Sequence, residues 1–342
     1  MSDGLSYRDA GVDLDAAVRA KERLRELVAS TRDEHTLSDL GAFGGLYRVP
    51  PELSEPVLVS SADGVGTKLK VAFEAGRHDT VGQCLVNHCV NDILVQGARP
   101  LFFLDYVAAA AMDEQVVHDI VWGVAEACRQ NGCALLGGET AQMPGFYAAG
   151  EYDLAGFVVG VVERAQLVDG SAVRSGDALV GLASSGLHTN GYTLARRIVF
   201  DAMGLGVNDE LPGTGRRVAD ELLTIHRSYL PALREPLRER LVRGLAHVTG
   251  GGIPGNLPRI LPSGLGATVV RSSWEVPAVY RTLQRAGRVE TEEMDRVFNM
   301  GIGMIAVVEP RSAPAVIAAA AKQGVEAWVI GSVSPGEGVT YT

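Results

Sequence analysis

Residues 57–68 read Val-Leu-Val-Ser-Ser-Ala-Asp-Gly-Val-Gly-Thr-Lys, an apolar run that ends in two glycines, a carboxylate, a hydroxyl and an ammonium group. The same pattern, a buried strand that enters a loop of small and polar residues, recurs at 133–141, 178–191 and 245–252. Between the first two of these runs, residues 80–96 carry apolar positions at helical spacing. Strands that alternate with helices predict a mixed α/β (α+β) architecture.

The same reading extends over the whole chain and divides it in two. A polar, turn-forming segment at 163–177 separates two such alternations, so we predict one domain over 1–164 and a second over 165–342. The predicted helices cover 13–28, 80–96, 114–130, 192–203, 216–230, 231–242 and 313–323. The predicted strands cover 57–60, 101–107, 133–136, 152–162, 178–183, 245–248, 302–308 and 326–333.

Composition excludes several classes of function. The chain has 342 residues, of which 46% are hydrophobic, and a net charge of -10, so it is predicted to be globular and acidic. An acidic surface argues against nucleic acid as the main partner, because phosphate backbones select basic surfaces. Apolar runs stay below the ~18 residues that a membrane span needs. We therefore expect neither nucleic acid nor a membrane as partner.

The cysteines and the first residues indicate a compartment. Cys84, Cys89, Cys128 and Cys133 form two pairs with four intervening residues, unlike the two that zinc sites favour. We predict four reduced thiols in the core. The sequence begins with an acidic, polar stretch rather than a signal or transit peptide, and we expect a cytoplasmic protein.

The first glycine loop, Asp63-Gly-Val-Gly-Thr-Lys68, is not a Walker A loop, since it lacks that motif's spacing and places Thr67 before Lys68. Its two glycines, hydroxyl and ammonium group nevertheless suit a phosphate, and Asp63 suits magnesium. The plain alternative is a turn with an exposed lysine and a capping aspartate, and the loop by itself leaves both open.

Helix 80–96 carries short polar side chains on one side, because Asn87 and Asn91 are four residues apart, as are His88 and Asp92. An ordinary solvent-facing side usually carries Lys and Glu, which this helix lacks. A solvent face and a metal- or substrate-binding face both remain open.

Two further carboxylates stand at or near the ends of apolar runs, Asp105 within Leu-Phe-Phe-Leu-Asp-Tyr-Val-Ala and Glu139 after Cys-Ala-Leu-Leu-Gly-Gly. An acid in an apolar run must pair, cap or bind a metal ion. Together with Asp63 and Asp92 they indicate a magnesium site, since magnesium is usually held by a few carboxylates, waters and substrate phosphates.

The second half of the chain offers two glycine loops. His188 lies in the loop 184–191, where Thr189 or Asn190 is expected to cap the following helix. A lone histidine of this kind serves structure as often as function. Residues 249–252, Thr-Gly-Gly-Gly, form a second candidate anion nest before a helix-like segment.

Several well-known sites are missing from the sequence. It contains neither a Gly-x-Ser-x-Gly elbow nor a His-Glu-x-x-His motif, and no dinucleotide-binding Gly-x-Gly-x-x-Gly follows a strand. The residues by themselves therefore indicate a magnesium-dependent enzyme that acts on phosphorylated substrates.

Eight motifs in order along the chain resemble those of the phosphoribosylformylglycinamidine cyclo-ligase (AIR synthetase) family, and together they are highly specific. One departure is Gln142, where the family often has Glu. The motifs are Ser6-Tyr-Arg-Asp-Ala-Gly-Val-Asp13, Asp63-Gly-Val-Gly-Thr-Lys68, Cys89-Val-Asn-Asp92, Pro100-Leu-Phe-Phe-Leu-Asp-Tyr106, Gly137-Gly-Glu-Thr-Ala141, Ser185-Gly186 with His188-Thr-Asn-Gly-Tyr192, Thr249-Gly-Gly-Gly252 and Phe298-Asn-Met-Gly301.

The resemblance implies a reaction and a set of site residues. ATP would phosphorylate the formyl oxygen of formylglycinamidine ribonucleotide, and the amidine nitrogen would then close the imidazole ring as phosphate leaves. It implies ATP contacts from Asp63, Gly64, Gly66, Thr67, Lys68, Asn91, Asp92, Gly138 and Glu139, with Mg²⁺ held by Asp63, Asp92 and Glu139. It implies substrate contacts from Ser185, Gly186, His188, Asn190, Thr249, Gly250 and Gly251, and catalytic roles for Lys68, His188 and Asp105.

The resemblance also implies a two-domain fold whose N-terminal sheets pair across a homodimer. Two related activities, selenophosphate synthetase and thiamine-monophosphate kinase, and a non-catalytic nucleotide-binding maturation protein stay open as alternatives. The first typically has Cys or selenocysteine in an N-terminal loop, whereas no Cys precedes Cys84. The related maturation protein works through a C-terminal Cys, and this sequence ends Val-Thr-Tyr-Thr.

Overall fold

A computed structural model describes residues 5, 7, 9–11 and 14–342, except for the side chains of 14–21. Over these residues the helices are α1 (Leu14–Ala29), α2 (Lys68–Ala75), α3 (Asp79–Leu94), α4 (Glu114–Asn131), α5 (Tyr192–Arg196), α6 (Val218–Leu222), α7 (Leu230–Arg238), α8 (Gly252–Asn256), α9 (Ala278–Gly287), α10 (Thr291–Val297) and α11 (Ala313–Lys322). The strands are β1 (Pro56–Gly64), β2 (Arg99–Ala109), β3 (Ala134–Gln142), β4 (Tyr152–Glu163), β5 (Ala178–Ala183), β6 (Glu210–Leu211), β7 (Arg216–Arg217), β8 (Val242–His247), β9 (Leu265–Val269), β10 (Ile302–Val308), β11 (Ala327–Pro335) and β12 (Val339–Tyr341).

The first half of the chain builds a four-stranded sheet in the order β1-β4-β2-β3, in which β2 and β3 are parallel and the other neighbours antiparallel. Helices α3 and α4 pack on one face of it. Because side chains alternate along a strand, Val158 points to these helices and is fully buried, whereas Phe157 lies on the opposite face and stays 46% exposed. We call that opposite face, with Leu58, Phe102, Leu104, Phe157 and Val159, the open face.

The second half builds a six-stranded sheet in the order β12-β9-β11-β5-β10-β8. Its central strands are wholly apolar: every residue of β10 is buried, and β5 is buried up to Leu182. Helices α7 and α11 pack against each other, and α11 covers β5 and β11. The two sheets fall on either side of the segment 163–177, where we placed the division of the chain.

The mixed α/β fold class is confirmed, and several elements lie within two residues of their predicted bounds, as α3, β5 and β10 do. The Ser6–Asp13 motif lies largely outside the described residues. All four cysteines are free and buried, as predicted. In the described part of the chain, no helix is both long and apolar enough to cross a membrane.

The prediction of one helix over 216–230 was wrong. Helix α6 stops at Leu222 and the chain then runs without regular structure to Tyr229. The prediction for 192–203 was correct in extent, but the helix changes from α to a π-helical turn at Arg197. Sequence periodicity did not reveal α2, α9 or α10.

Candidate functional site

The polar side of α3 is not exposed to solvent but faces the second half of the chain. Asn87 Nδ2 donates to the carbonyl of His226 at 2.8 Å, and Asn91 Nδ2 donates to the carbonyl of Arg227 at 2.8 Å. Asn91 is fully buried, and His88 is 4% exposed. The short amides and the imidazole therefore belong to a buried junction between the two sheets, which explains why this side lacks Lys and Glu.

Lys68 lies in the same junction, at the start of α2. Its Nζ donates to the carbonyls of His188 at 2.9 Å and Thr224 at 2.7 Å, and it lies 3.2 Å from Cys84 Sγ. Burial lowers the pKa of Lys68. All three of its hydrogens have partners in the chain, so the exposed-lysine alternative is excluded. Here it stabilises the junction, and the predicted contact with phosphate stays a prediction.

The rest of the loop 63–68 follows from its glycines. Gly66 adopts φ 65°, a left-handed conformation that glycine accepts without strain, and this lets the chain turn into α2. Gly64 N–H donates to Asp63 Oδ1 at 2.7 Å, and Thr67 Oγ1 lies 3.0 Å from Thr193 Oγ1 of the other half. The loop thus belongs to the first half of the chain and contacts the second half through Thr67. Asp63 is its first residue.

Asp63 and Asp92 both face buried histidines. His88 Nε2 lies 2.8 Å from Asp63 Oδ2 and 3.9 Å from Asp92 Oδ2. His247 Nδ1 lies 2.8 Å from Asp92 Oδ1. The other oxygen of this carboxylate, Asp92 Oδ2, accepts a hydrogen bond from Ser61 Oγ at 3.0 Å. The two predicted metal-binding carboxylates, Asp63 and Asp92, thus lie in one cluster with the imidazoles of His88 and His247.

Burial sets the charge of these groups. It lowers the pKa of His188 and of His226 well below the ordinary value, and it also lowers the pKa of His247. Burial raises the pKa of Asp63, but the hydrogen bond and charge of His88 outweigh it, so that pKa lies below its usual range. Burial therefore disfavours the charged form of His188, His226 and His247, whereas Asp63 is favoured as a carboxylate.

The register of the four-stranded sheet places the other two predicted acids, Asp105 and Glu139, in neighbouring rows. Asp63, Gly156, Asp105 and Gly138 form one row across the four strands, with Asp105 8% exposed on the helix-covered side. Burial raises the pKa of Asp105 to about 7. Its predicted catalytic role stays a prediction.

Glu139 lies in the next row, opposite Tyr106, and its side chain points to the open face. From β1 to β3 there are three strand spacings, about 14 Å. Within one chain Glu139 therefore does not reach an ion held by Asp63 and Asp92. The predicted part of Glu139 in holding Mg²⁺ stays a prediction. Gly138 is exposed, and its predicted contact with ATP stays a prediction.

The two glycine loops of the second half meet each other. A Cβ on Gly250 would come within 3.3 Å of Asn190 Oδ1, which places the loops 184–191 and 249–252 side by side. Ser185 N–H donates to His188 Nε2 at 3.1 Å, and the carbonyl of Gly186 accepts from Tyr280 Oη at 2.7 Å. The two loops are thus neighbours, with Gly186 and His188 buried, and the predicted substrate contacts stay predictions.

Two polar atoms of the predicted substrate residues have no partner. His188 Nδ1 and Asn190 Nδ2 are buried and make no hydrogen bond. Because Ser185 N–H donates to Nε2 of His188, the neutral ring carries its hydrogen on Nδ1. Buried donors are rarely left unpaired, so these two groups fit a ligand that offers acceptors.

The prediction that Thr189 or Asn190 caps the next helix was wrong. Gly191, with φ 78°, is the N-cap of α5 and makes no side-chain capping bond. Thr189 Oγ1 instead lies 2.6 Å from His88 Nδ1. Thr249 is held by Asn256, whose Nδ2 also donates to the carbonyl of Gly252 at 2.8 Å. Gly251 adopts φ 99° as the N-cap of α8.

Sequence reasoning missed His226 and His247. Neither stands in a glycine loop, and His226 falls within the stretch predicted to be helical. A histidine that follows the apolar residues Gly244, Leu245 and Ala246 at the end of a strand, as His247 does, was a signal that could have been used.

Comparison with known proteins finds two domains of one family in the chain. Residues 41–162 match the family model described as AIR synthase related protein, N-terminal domain, and residues 174–342 match its C-terminal domain. A phosphoribosylformylglycinamidine cyclo-ligase of Sorangium cellulosum is 55% identical over 96% of this chain and 95% of its own. One of Pseudothermotoga lettingae is 48% identical over 98% of each chain.

Solved structures show the same fold at low identity. A thiamine-monophosphate kinase of Stenotrophomonas maltophilia superimposes with a TM-score of 0.70 at 19% identity, over 93% of this chain and 95% of that one. The hydrogenase maturation protein HypE of E. coli does so with a TM-score of 0.67 at 17% identity, over 96% and 93%. The sequence relatives, unlike these distant structures, decide the family: the chain belongs to the phosphoribosylformylglycinamidine cyclo-ligase family of AIR synthase related proteins.

Proposed function

We propose that this chain catalyses the ATP-dependent ring closure of formylglycinamidine ribonucleotide to 5-aminoimidazole ribonucleotide, a step of purine biosynthesis. The identity of 55% over 96% of the chain to a cyclo-ligase carries the proposal. The buried junction between the two halves and the unpartnered donors of the 184–191 loop support it.

The proposed chemistry balances. The γ-phosphoryl group of ATP passes to the formyl amide oxygen, which gives ADP and an activated imidate. The amidine nitrogen attacks that carbon, the C–O bond breaks, phosphate leaves with the former amide oxygen, and the nitrogen loses a proton. Phosphoryl transfer of this kind depends mainly on positioning and on neutralising charge.

We assign the nucleotide to the first half of the chain, with contacts from Asp63, Gly64, Gly66, Thr67, Lys68, Asn91, Asp92, Gly138 and Glu139. Asp63 and Asp92 supply carboxylate oxygens, the donors that magnesium prefers, and so fit the ion that the family implies. Mg²⁺ bound there would neutralise phosphate charge. Asn91 and Lys68 are engaged within the junction, so their part in ATP binding requires a rearrangement of these contacts.

We assign the ribonucleotide to the second half, with contacts from Ser185, Gly186, His188, Asn190, Thr249, Gly250 and Gly251. His188 Nδ1 and Asn190 Nδ2 have hydrogens and lack acceptors, which phosphate or ribose oxygens would supply. Of the proposed catalytic residues Lys68, His188 and Asp105, His188 therefore acts first as a hydrogen-bond donor rather than as a base.

We further propose a cytoplasmic homodimer that pairs two open faces. Leu58 is 59% exposed and Phe157 is 46% exposed there. Pairing of identical sheets would cover both copies at once. It would also bring the Glu139 of each chain to the interface.

A turnover assay tests the proposed function. The purified protein should convert formylglycinamidine ribonucleotide, ATP and Mg²⁺ to aminoimidazole ribonucleotide, with one ADP and one phosphate per ring closed. Thiamine monophosphate offered in place of the ribonucleotide serves as the specificity control. Turnover of thiamine monophosphate but not of the ribonucleotide would contradict the proposal.

A further inference from the structure

Four of the seven histidines meet at the junction between the two sheets. His88, His188, His226 and His247 are between 0% and 6% exposed. Two sets of three possible metal ligands occur here among the described residues, His88 with Asp92 and His247, and His188 with His226 and His247. Their hydrogen bonds decide which of the two sets can hold an ion.

The hydrogen positions follow from a neighbouring amide. Tyr229 N–H donates to Asn91 Oδ1 at 2.9 Å, so Nδ2 is the amide atom that lies 3.3 Å from His226 Nε2. Because an amide NH₂ only donates, His226 Nε2 is an acceptor. His247 Nε2 lies 3.1 Å from the same atom and must therefore carry a hydrogen.

This arrangement turns the other nitrogen of His247 toward Asp92. His247 Nδ1 lies 2.8 Å from Asp92 Oδ1, and His88 Nε2 lies 3.9 Å from Asp92 Oδ2. Two imidazole nitrogens and one carboxylate therefore converge on the same place in the junction.

We propose that His88, Asp92 and His247 bind one transition-metal dication of the zinc class. Their ligand atoms lie within 4.8 Å of one another. Two imidazoles and one carboxylate suit zinc, cobalt or iron(II) and leave positions open for water or substrate, whereas magnesium prefers oxygen ligands. The proposal rests on the proposed function, in which Asp92 is also a magnesium ligand, so the two oxygens of this carboxylate would be shared between the zinc-class ion and Mg²⁺.

The surroundings supply the hydrogen bonds that metal-binding histidines need at their second nitrogen. With the metal on Nε2, His88 donates from Nδ1 to Thr189 Oγ1 at 2.6 Å. With the metal on Nδ1, His247 donates from Nε2 to His226, which in turn donates from Nδ1 to Thr189 Oγ1 at 3.3 Å.

The other set of three does not fit a metal ion. The rings of His188 and His226 stack at 3.9 Å with an angle of 17° between their planes. Lone pairs lie in the ring planes, so those of two stacked rings run parallel and do not converge on one ion. His188 Nε2 is also engaged with Ser185 N–H.

Cobalt(II) titration of the chelator-treated full chain, without nucleotide, tests the proposal. We expect one Co²⁺ per chain with visible d–d absorption, displaced by Zn²⁺ and resistant to excess Mg²⁺. His88→Asn and His247→Gln should each weaken Co²⁺ binding at least ~10-fold. The matched control is His118→Asn, which removes a histidine that lies beside Asp119 on α4, outside the cluster. It should bind like the parent.

Circular dichroism shows whether each variant is folded, and His88→Asn is the more conservative of the two. The absence of Co²⁺ binding by the parent, binding unchanged in folded His88→Asn, or displacement of Co²⁺ by Mg²⁺ would each overturn the proposal. The titration uses no substrate, so its failure is distinct from that of the ring-closure assay.

Discussion

His247 Nδ1 lies 2.8 Å from Asp92 Oδ1, a contact between a strand of the six-stranded sheet and the helix packed on the four-stranded one. The same helix binds the backbone of 226 and 227 through Asn87 and Asn91. The candidate site is thus built from both halves of the chain, and changes in either half are expected to affect it.

Asp92→Asn and Asp63→Asn should each lower kcat by 100-fold or more and raise the magnesium concentration needed for half-maximal rate, because each removes a metal-binding carboxylate. Initial rates at several magnesium concentrations measure both effects, and thermal unfolding shows whether the fold is kept. Normal turnover of a variant at limiting magnesium would refute the metal role of that residue.

His188→Ala should weaken binding of the ribonucleotide more than binding of ATP. The substitution removes an unpartnered buried donor in the loop assigned to the substrate. Calorimetry of the variant with each ligand alone makes the comparison, and His118→Ala is a control outside the site. Weaker ATP binding with unchanged ribonucleotide binding would reverse the assignment.

Asp105→Asn should remove a pH dependence of stability. Burial raises the pKa of Asp105 from 3.8 to about 7 in the folded chain. As pH rises from about 4 to 7, the unfolded carboxyl ionises while the folded one keeps its proton, so this group lowers the free energy of unfolding with rising pH. Above pH 7 the carboxyl of Asp105 is ionised in both the folded and the unfolded chain. The free energy of unfolding has then fallen by its full amount, on the order of 4 kcal/mol.

The amide of Asn mimics the protonated acid, so the free energy of unfolding of the variant relative to the parent should increase from pH 5 to pH 8. Urea unfolding of both proteins at the two pH values measures this difference. An equal difference at the two pH values would mean that Asp105 ionises normally. The catalytic role proposed for Asp105 is measured separately, by kcat.

Val159→Asp should dissociate the proposed homodimer and abolish activity with the chain still folded. Val159 lies on the open face, opposite Ser60 and Phe102, so a carboxylate there would be buried by a partner. Val158→Asp is the contrasting variant, because Val158 is fully buried under the helices and its substitution should unfold the chain. Sedimentation at micromolar concentration gives the assembly, and a fully active monomeric parent would refute the dimer.

The segment 223–229 shows why a helix was predicted where the chain forms none. Four successive carbonyls, of Thr224, Ile225, His226 and Arg227, accept hydrogen bonds from side chains elsewhere in the chain. The donors are Lys68, Ser185, Asn87 and Asn91. These long-range bonds replace the local ones that a helix would make, and a pattern of local periodicity contains no information about them.

The sequence by itself determined the alternation of strands and helices, the four buried thiols, the glycine loops and the family, because these depend on local spacing and on ordered motifs. The tertiary structure alone decided which polar groups meet. It brought His247 to Asp92 and His226 to Asn91, and it placed Glu139 on the open face. Sheet register and packing between the halves join residues more than 100 positions apart, as Asp92 and His247 are.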